Sequence, residues 1–212
     1  MIEIRMLTLG PVQTNCYLVT CDETLHTAVV DPSDNGRGLA ATLREANLEL
    51  THILLTHAHF DHVGGLAQLK EEYPAVPIYI HPEATQMLSI APMQAAMFGL
   101  RLPNDMPQPD QMLAEGDVIQ VGNLQLEVLF TPGHAPGHVS FYNAEHHVLF
   151  SGDALFQGSI GRTDLPGGDM KLLLQMIEEK LLVLPEETQV LSGHGPVTTI
   201  GHEKALNPFL QP

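Results

Sequence analysis

An α/β fold is what this sequence predicts, and three features carry that expectation. Short apolar runs of strand length alternate along the chain with segments patterned at helical spacing, as in strands that share a sheet system with their loops gathered at one end. Four of those runs end in a small residue followed by a histidine or aspartate, a context that chance would not repeat so often. No low-complexity stretch or break in composition marks a linker, so residues 1–212 are expected to form one domain with a substantial core.

Composition bounds the function classes. At 44% hydrophobic and 16% charged residues the chain is ordinary for a soluble globular protein. It has no apolar run long enough for a membrane span, and Met1-Ile2-Glu3-Ile4-Arg5 lacks the basic-then-apolar layout of a signal peptide. A cytoplasmic location follows as the expectation, with Cys16 and Cys21 reduced and filling core space in a strand. The formal net charge of −16 repels nucleic-acid phosphates and argues against a nuclease, although bound divalent cations would offset part of it.

In order, residues 2–8, 15–21 and 26–30 read as strands, the last running into Val29-Val30-Asp31-Pro32. From Gly36 to Ala46, Leu39, Leu43 and Ala46 share a helical face, with Arg44 and Glu45 off it. A strand at 52–55 leads into a histidine-rich loop. A helix over 63–73 then buries Val63, Leu66 and Leu69 while Lys70, Glu71 and Glu72 face water, and 77–80 is another strand. Across 82–110, Pro92, Pro103, Pro107 and Pro109 predict irregular chain rather than one long helix. Met93 and Met97, four apart, read there as core filling, with a mobile flap over a pocket as the functional alternative. Gly122-Asn123 turns a hairpin between 117–121 and 124–131. A second hairpin joins 138–143 to 147–151, with His146 and His147 as solvated turn residues. A helix over 169–182 offers Leu172, Leu173, Met176, Ile177 and Leu181 for burial; a strand at 188–192 and a short tail, 201–210, finish the chain.

The loop after 52–55 carries the chemistry. Thr56-His57-Ala58-His59-Phe60-Asp61-His62 sets three imidazoles and a carboxylate within six positions, just after Ile53-Leu54-Leu55 and just before Gly64-Gly65. His57 and His59 can converge on one ion while Asp61 and His62 turn toward a second; the mixed N/O set suits zinc, and also iron or manganese. Three further apolar runs end in the same way, at Thr131-Pro132-Gly133-His134, Ser151-Gly152-Asp153 and Ser192-Gly193-His194. The inventory is then His57, His59 and His134 for one cation and Asp61, His62 and His194 for another. Asp153 is left to bridge, because a carboxylate can give one oxygen to each. Such a set leaves coordination positions open, as catalytic rather than structural sites do.

On these residues the chain resembles the metallo-β-lactamase superfamily and, within it, the glyoxalase II-like (hydroxyacylglutathione hydrolase-like) hydrolases. His57-x-His59-x-Asp61-His62 with His134, Asp153 and His194 matches that family's ligand set in identity and order, and the likeness covers nearly the whole chain. The resemblance implies a four-layer αβ/βα sandwich: two mixed β-sheets face to face, helices outside, two divalent metal ions at one edge. It implies that His138, by spacing alone a rival ligand, instead supports the ligands. Asp31 either fixes the tautomer of a ligating imidazole or is a plain turn carboxylate; His81 and His202 read as structural histidines.

The chemistry implied is thioester hydrolysis. Two cations, zinc first with iron or manganese as alternatives, roughly 3.5–4 Å apart, would share a hydroxide that attacks a carbonyl carbon. Asp61 and Asp153 are the catalytic carboxylates, the first orienting the nucleophile. A thiolate leaving group suits a site with no obvious proton donor. Likeness to glyoxalase II implies a small-molecule partner, a glutathione thioester such as S-lactoylglutathione, with no nucleic acid and no membrane, in a monomer or homodimer. Arg162, in Gly158-Ser159-Ile160-Gly161-Arg162, matches the family's basic residue beside the pocket and would pair a substrate carboxylate, or else stand in a surface ion pair. Two departures lower the expected grip on glutathione. The chain ends 18 residues past His194, without the helical domain of longer members, and His194-Gly195-Pro196 replaces a His-Glu-Tyr whose tyrosine contacts glutathione. The alternative activity is a mononuclear iron persulfide dioxygenase, a group that shares the Gly161-Arg162-Thr163-Asp164 pattern. A secreted β-lactamase, opposed by Asp153 in place of a metal-binding cysteine, and a non-catalytic metal-binding protein are weaker rivals.

Overall fold

The computed structural model describes residues 1–211, and its two halves each build one six-stranded sheet, the second half adding a small β-ribbon. The first half runs β1 (Ile2–Leu9), β2 (Thr14–Cys21), β3 (His26–Val30), helix α1 (Gly36–Glu45), β4 (Glu49–Leu54), α2 (Leu66–Glu72), β5 (Ile78–Ile80), α3 (Thr85–Met97) and β6 (Gln111–Met112). Its strands lie side by side in sequence order, antiparallel from β1 to β3 and parallel from β3 onward. The second half runs β7 (Val118–Val121), β8 (Leu124–Phe130), β9 (Val139–Asn143), β10 (Val148–Gly152), β11 (Leu155–Phe156), β12 (Ser159–Ile160), α4 (Met170–Met176), β13 (Gln189–Ser192), β14 (Thr198–Thr199) and α5 (Ile200–Leu206). Its sheet has the order β14-β13-β10-β9-β8-β7, antiparallel throughout except where β10 meets β13.

Strand periodicity explains why β2 is buried at every position. Side chains alternate between faces, so both faces must be covered. Cys16 and Leu18 pack with Leu39, Leu43, Leu66 and Leu69 under α1 and α2, whereas Tyr17, Val19 and Cys21 meet Val128, Phe141 and Phe150 of the second sheet. The same division recurs in β10. Val148 and Phe150 join the core between the sheets, and Leu149 packs outward with Leu173 and Ile200. Helix, sheet, sheet, helix is therefore the layer order, the expected αβ/βα sandwich. Cys16 and Cys21 are free, buried, and about 16 Å apart along one strand, too far to pair. Among the described residues no helix is long and apolar enough to cross a membrane.

The structure corrects some expectations and refines others. The stretch 82–110 is irregular where Pro103, Pro107 and Pro109 lie, but it begins with α3, thirteen residues long with Pro92 inside it. The proline removes one backbone hydrogen bond, a cost of about 3 kcal/mol; burial of Met87, Leu88, Ala91 and Ala95 along one face holds the helix regardless. Met93 and Met97 are not core filling: they lie on the opposite face, 61% and 80% exposed, because small Ala91 and Ala95 are the residues that pack inward. The tail 201–210 contains most of α5, and the helix expected over 169–182 is α4 followed by a wider π turn, Ile177–Leu181. His146 and His147 are half-exposed in the β9–β10 turn, His146 donating its N–H to Asn143 Oδ1.

Candidate metal centre

Four strands deliver the candidate ligands at their C-terminal ends: β4 feeds His57 to His62, β8 leads to His134, β10 to Asp153, and β13 to His194. The two sheets are tied together at this edge. Asn15 N–H donates to the Gly193 carbonyl at 2.7 Å, Tyr17 Oη to the Ser192 carbonyl at 2.6 Å, and Val139 N–H to the Thr56 carbonyl at 2.8 Å. Glycine is required where the loops converge. A Cβ on Gly193 would stand 2.2 Å from Asp153 Oδ1 and 2.6 Å from His62 Cε1, and one on Gly152 (φ +50°) would stand 2.7 Å from His138 Nε2.

His57, His59 and His134 form the first group. His57 Nε2 and His134 Nε2 lie 3.0 and 2.9 Å from His59 Nδ1. Their outer nitrogens fix the tautomers. His134 Nδ1 donates to the Arg162 carbonyl at 2.7 Å. Thr56 Oγ1, whose own proton goes to Asp31 Oδ2 at 2.6 Å, accepts from His57 Nδ1 at 3.0 Å. Two Nε2 lone pairs therefore converge on a third imidazole nitrogen, which can offer a single proton between them, so a cation would complete the set. Burial, together with the surrounding imidazoles, holds His57 well below its ordinary pKa and His59 at about 4, and burial lowers His134. All three are neutral, as metal ligands must be.

Asp61, His62 and His194 form the second group, with Asp153 between the two. Asp61 Oδ2 is 3.2 Å from His194 Nε2 and 3.6 Å from His62 Nε2. Asp153 Oδ2 is 3.5 Å from His134 Nε2 and 3.6 Å from His194 Nε2, so this one oxygen reaches both groups. Two buried atoms, His62 Nε2 and Asp153 Oδ1, stand 3.3 Å apart with no hydrogen-bond partner. Positive charge is favoured here. Burial opposes a proton on His62, but the carboxylates of Asp153 and Asp61 prevail and hold its pKa well above the ordinary value; His194 is raised in the same way by Asp61 and Asp153. Burial likewise opposes ionisation of Asp61 and Asp153, yet His62 keeps Asp61 at about 2 and Asp153 below the usual carboxylate range. Orphaned lone pairs in a mixed imidazole and carboxylate set fit a pair of divalent cations of the zinc, iron or manganese kind.

The supporting residues divide by what they touch. Asp31, at the end of β3 with φ +50°, accepts from Thr56 N–H at 2.8 Å, from Thr56 Oγ1, and from His62 Nδ1 at 2.9 Å. Asp31, His57 and His62 are close enough to hold an ion themselves. With Asp31's oxygens already accepting three hydrogen bonds, the trio is instead a relay that turns His62 Nε2 toward the second group. His138 is fully buried and not available to a cation: its Nε2 accepts Asp153 N–H at 3.0 Å and its Nδ1 donates to Thr131 Oγ1 at 2.9 Å. Burial and the nearby His134 push it down to about 3, so it stays neutral. Arg162 contacts the centre only through its carbonyl; its guanidinium is exposed and makes a bidentate pair with Asp164 at 2.7 and 2.8 Å. His81 stacks on Phe130 at 4.4 Å, and His202 is exposed. The structure adds Thr14, which donates to Asp61 Oδ2 at 2.8 Å, and Thr56. Thr56 adjoins the histidine motif, whereas nothing in the sequence marks Thr14. The centre opens at its second group, where His194 is 27% and Asp61 13% exposed.

The profile of the metallo-beta-lactamase superfamily matches residues 9–194, a span that takes in all the candidate ligands. Hydroxyacylglutathione hydrolase GloC of Haemophilus influenzae is 42% identical over 211 residues, covering 98% of this chain and 98% of that protein. Among solved structures, BLEG-1 B3 metallo-beta-lactamase has a TM-score of 0.91 at 41% identity, covering 99% of this chain and 100% of that one. TTHA1623 in a di-iron-bound form has a TM-score of 0.89 at 46% identity, covering 97% and 100%. Layer order, strand-end loops and whole-length likeness thus agree, and the chain belongs to the metallo-beta-lactamase superfamily.

Proposed function

We propose that this metallo-hydrolase cleaves thioesters, S-lactoylglutathione foremost, to a carboxylic acid and a free thiol. The observation that carries the reading is a neutral imidazole trio set beside a carboxylate-rich trio, with Asp153 reaching both. His57, His59, His134, Asp61, His62, Asp153 and His194 would hold two divalent cations, which would supply a Lewis acid for the carbonyl oxygen and a water whose pKa is lowered to about 7. The chain's own groups do the rest. Asp61, kept ionised and steadied by Thr14, accepts a hydrogen bond and so orients a water. Asp153 is fixed from behind by His138, whose ring stays neutral and so does not serve as an acid. Among the described residues the seven candidate ligands, once bound to metal, have no proton to give a leaving group, and a thiolate, unlike an amine or alkoxide, departs without one. The likeness to a hydroxyacylglutathione hydrolase supports the glutathione thioester. Zinc is the proposed metal, with iron the alternative on the precedent of the di-iron neighbour.

The test pairs elemental analysis with thiol release from S-lactoylglutathione. Two ions per chain, turnover abolished by chelation and restored by zinc, is the expected result. One iron per chain with oxygen uptake on glutathione persulfide would instead establish a dioxygenase. A second reading, β-lactam opening, is favoured by the likeness to BLEG-1, and nitrocefin turnover exceeding thioester turnover would establish it.

A further inference from the structure

A groove of about 100 Å³ adjoins the open side of the centre, between the turn after β1 and the segment after α3. Thr14 and Asp61 stand at its inner end; Pro11, Val12, Phe60 and Leu100 give it apolar walls, with Phe60 stacked on Phe98 at 4.9 Å. Arg101 lines it too, with an exposed side chain. Every other arginine is engaged: Arg5 with Glu3, Arg37 with Glu71, Arg44 with Glu72 and Arg162 with Asp164. Arg101 has no carboxylate within ion-pair distance among the described residues. Asp34, which shares the groove, instead accepts the N–H of Asn35 at 2.7 Å. In a chain with 25 acidic residues against 9 basic ones, a guanidinium left free beside the centre is not there to pair with its own protein.

We propose that Arg101 is a specificity-determining residue: it receives a carboxylate on the thiol moiety of the thioester substrate, whose chain lies along Pro11, Val12, Phe60 and Leu100. The five-donor fork of arginine matches a carboxylate in bidentate fashion. It also offsets Asp34 and Asp61, which otherwise repel an anion from the groove. Arg162, the basic residue that sequence resemblance singles out, has its fork already occupied by Asp164 and lies against the His134 side of the centre. The anionic arm is thereby directed to the Asp61 side.

The assignment rests on the thioester reading, so its test measures binding instead of turnover. S-hexylglutathione, a thioether that cannot be hydrolysed, and its diethyl ester are titrated calorimetrically into metal-loaded wild type, R101Q and K171Q. Wild type is expected to bind the acid about tenfold more tightly than the diester. R101Q should bind both alike, at the wild-type diester affinity, and K171Q should behave as wild type, since Lys171 is exposed but lies outside the groove. Equal affinity of wild type and R101Q for the acid, or no measurable binding of the acid to wild type, overturns the assignment. S-lactoylglutathione turnover on the same preparations separates the two claims: wild-type discrimination lost in R101Q without any turnover would sink the thioester reading and leave Arg101 in place.

Discussion

Asp31→Asn removes one acceptor oxygen at the point where the two histidine groups are coupled. Asparagine tolerates the left-handed backbone at this position, φ +50°, so the substitution tests the hydrogen bonds and not the turn. Asp31 accepts three bonds: from Thr56 N–H, from Thr56 Oγ1, and from His62 Nδ1 at 2.9 Å. The amide can keep its carbonyl oxygen toward Thr56 N–H only by aiming its NH₂ at the other two donors. The Thr56 hydroxyl can rotate away. His62 escapes the clash only by moving its proton to Nε2, which takes away the lone pair aimed at Asp61 and Asp153. Loss of such an orienting partner lowers metal affinity by about 10- to 100-fold, and loss of a buried charge-assisted hydrogen bond costs about 1.5–3 kcal/mol. Zinc titration against a competing chelator should show one ion bound near wild-type affinity and the second weakened by that factor, with the thermal midpoint reduced. An Asp31→Asn protein that holds both ions as tightly as wild type would refute the relay.

Three further outcomes follow from the same geometry. Gly193→Ala drives a Cβ to within 2.2 Å of Asp153 Oδ1; the second ion should be lost and thioester turnover should fall by about 100-fold or more, since displacements of about 1 Å already cost that much, as read by metal analysis and initial rates. His138→Ala strands the buried Asp153 N–H at a cost of about 1–3 kcal/mol, which urea denaturation would register; an unchanged urea midpoint would contradict the bond between His138 and Asp153. The pH dependence has a fixed sign. His59 at about 4 and His138 at about 3 lie below the imidazole value of the unfolded chain, about 6.5. Between those values the unfolded chain takes up protons that the folded one does not, so each histidine removes about 2 kcal/mol of stability by pH 5. His62 and His194, raised by their carboxylates, act in the opposite sense when they carry protons in place of metal. The urea midpoint should therefore fall more steeply from pH 7.5 to 5 in metal-loaded than in chelated protein, and equal slopes would contradict the charge assignment.

Much of this centre is legible in the sequence because strand ends announce themselves. An apolar run closed by a small residue and a ligand, as in Val190-Leu191-Ser192-Gly193-His194, encodes both where the chain stops being buried and what it then presents. The layer order is legible only as what the family resemblance implies; the unbroken burial along β2, a sheet covered on both faces, is its physical form in the structure and is not marked by the polar residues Thr14, Asn15 and Thr20. What escapes is of three physical kinds. Two-residue strands such as β6 and β14 span a single period of the alternation, too little for it to show as a pattern. In α3 the core face is drawn by Ala91 and Ala95, residues too weakly apolar to outvote Pro92 and the methionines on a pattern reading. Backbone contacts leave no trace in residue type at all, and these decide the roles of Arg162, whose carbonyl fixes His134, and of His138, whose lone pair is taken by an amide. The direction of a side chain is the common missing quantity. It makes Arg162 a surface partner of Asp164 and leaves Arg101, unremarkable in sequence, without an ion-pair partner among the described residues on the groove that Asp61 also lines. The tie between β2 and the His194 loop, through Asn15 and Tyr17, keeps that side of the centre in register with both sheets.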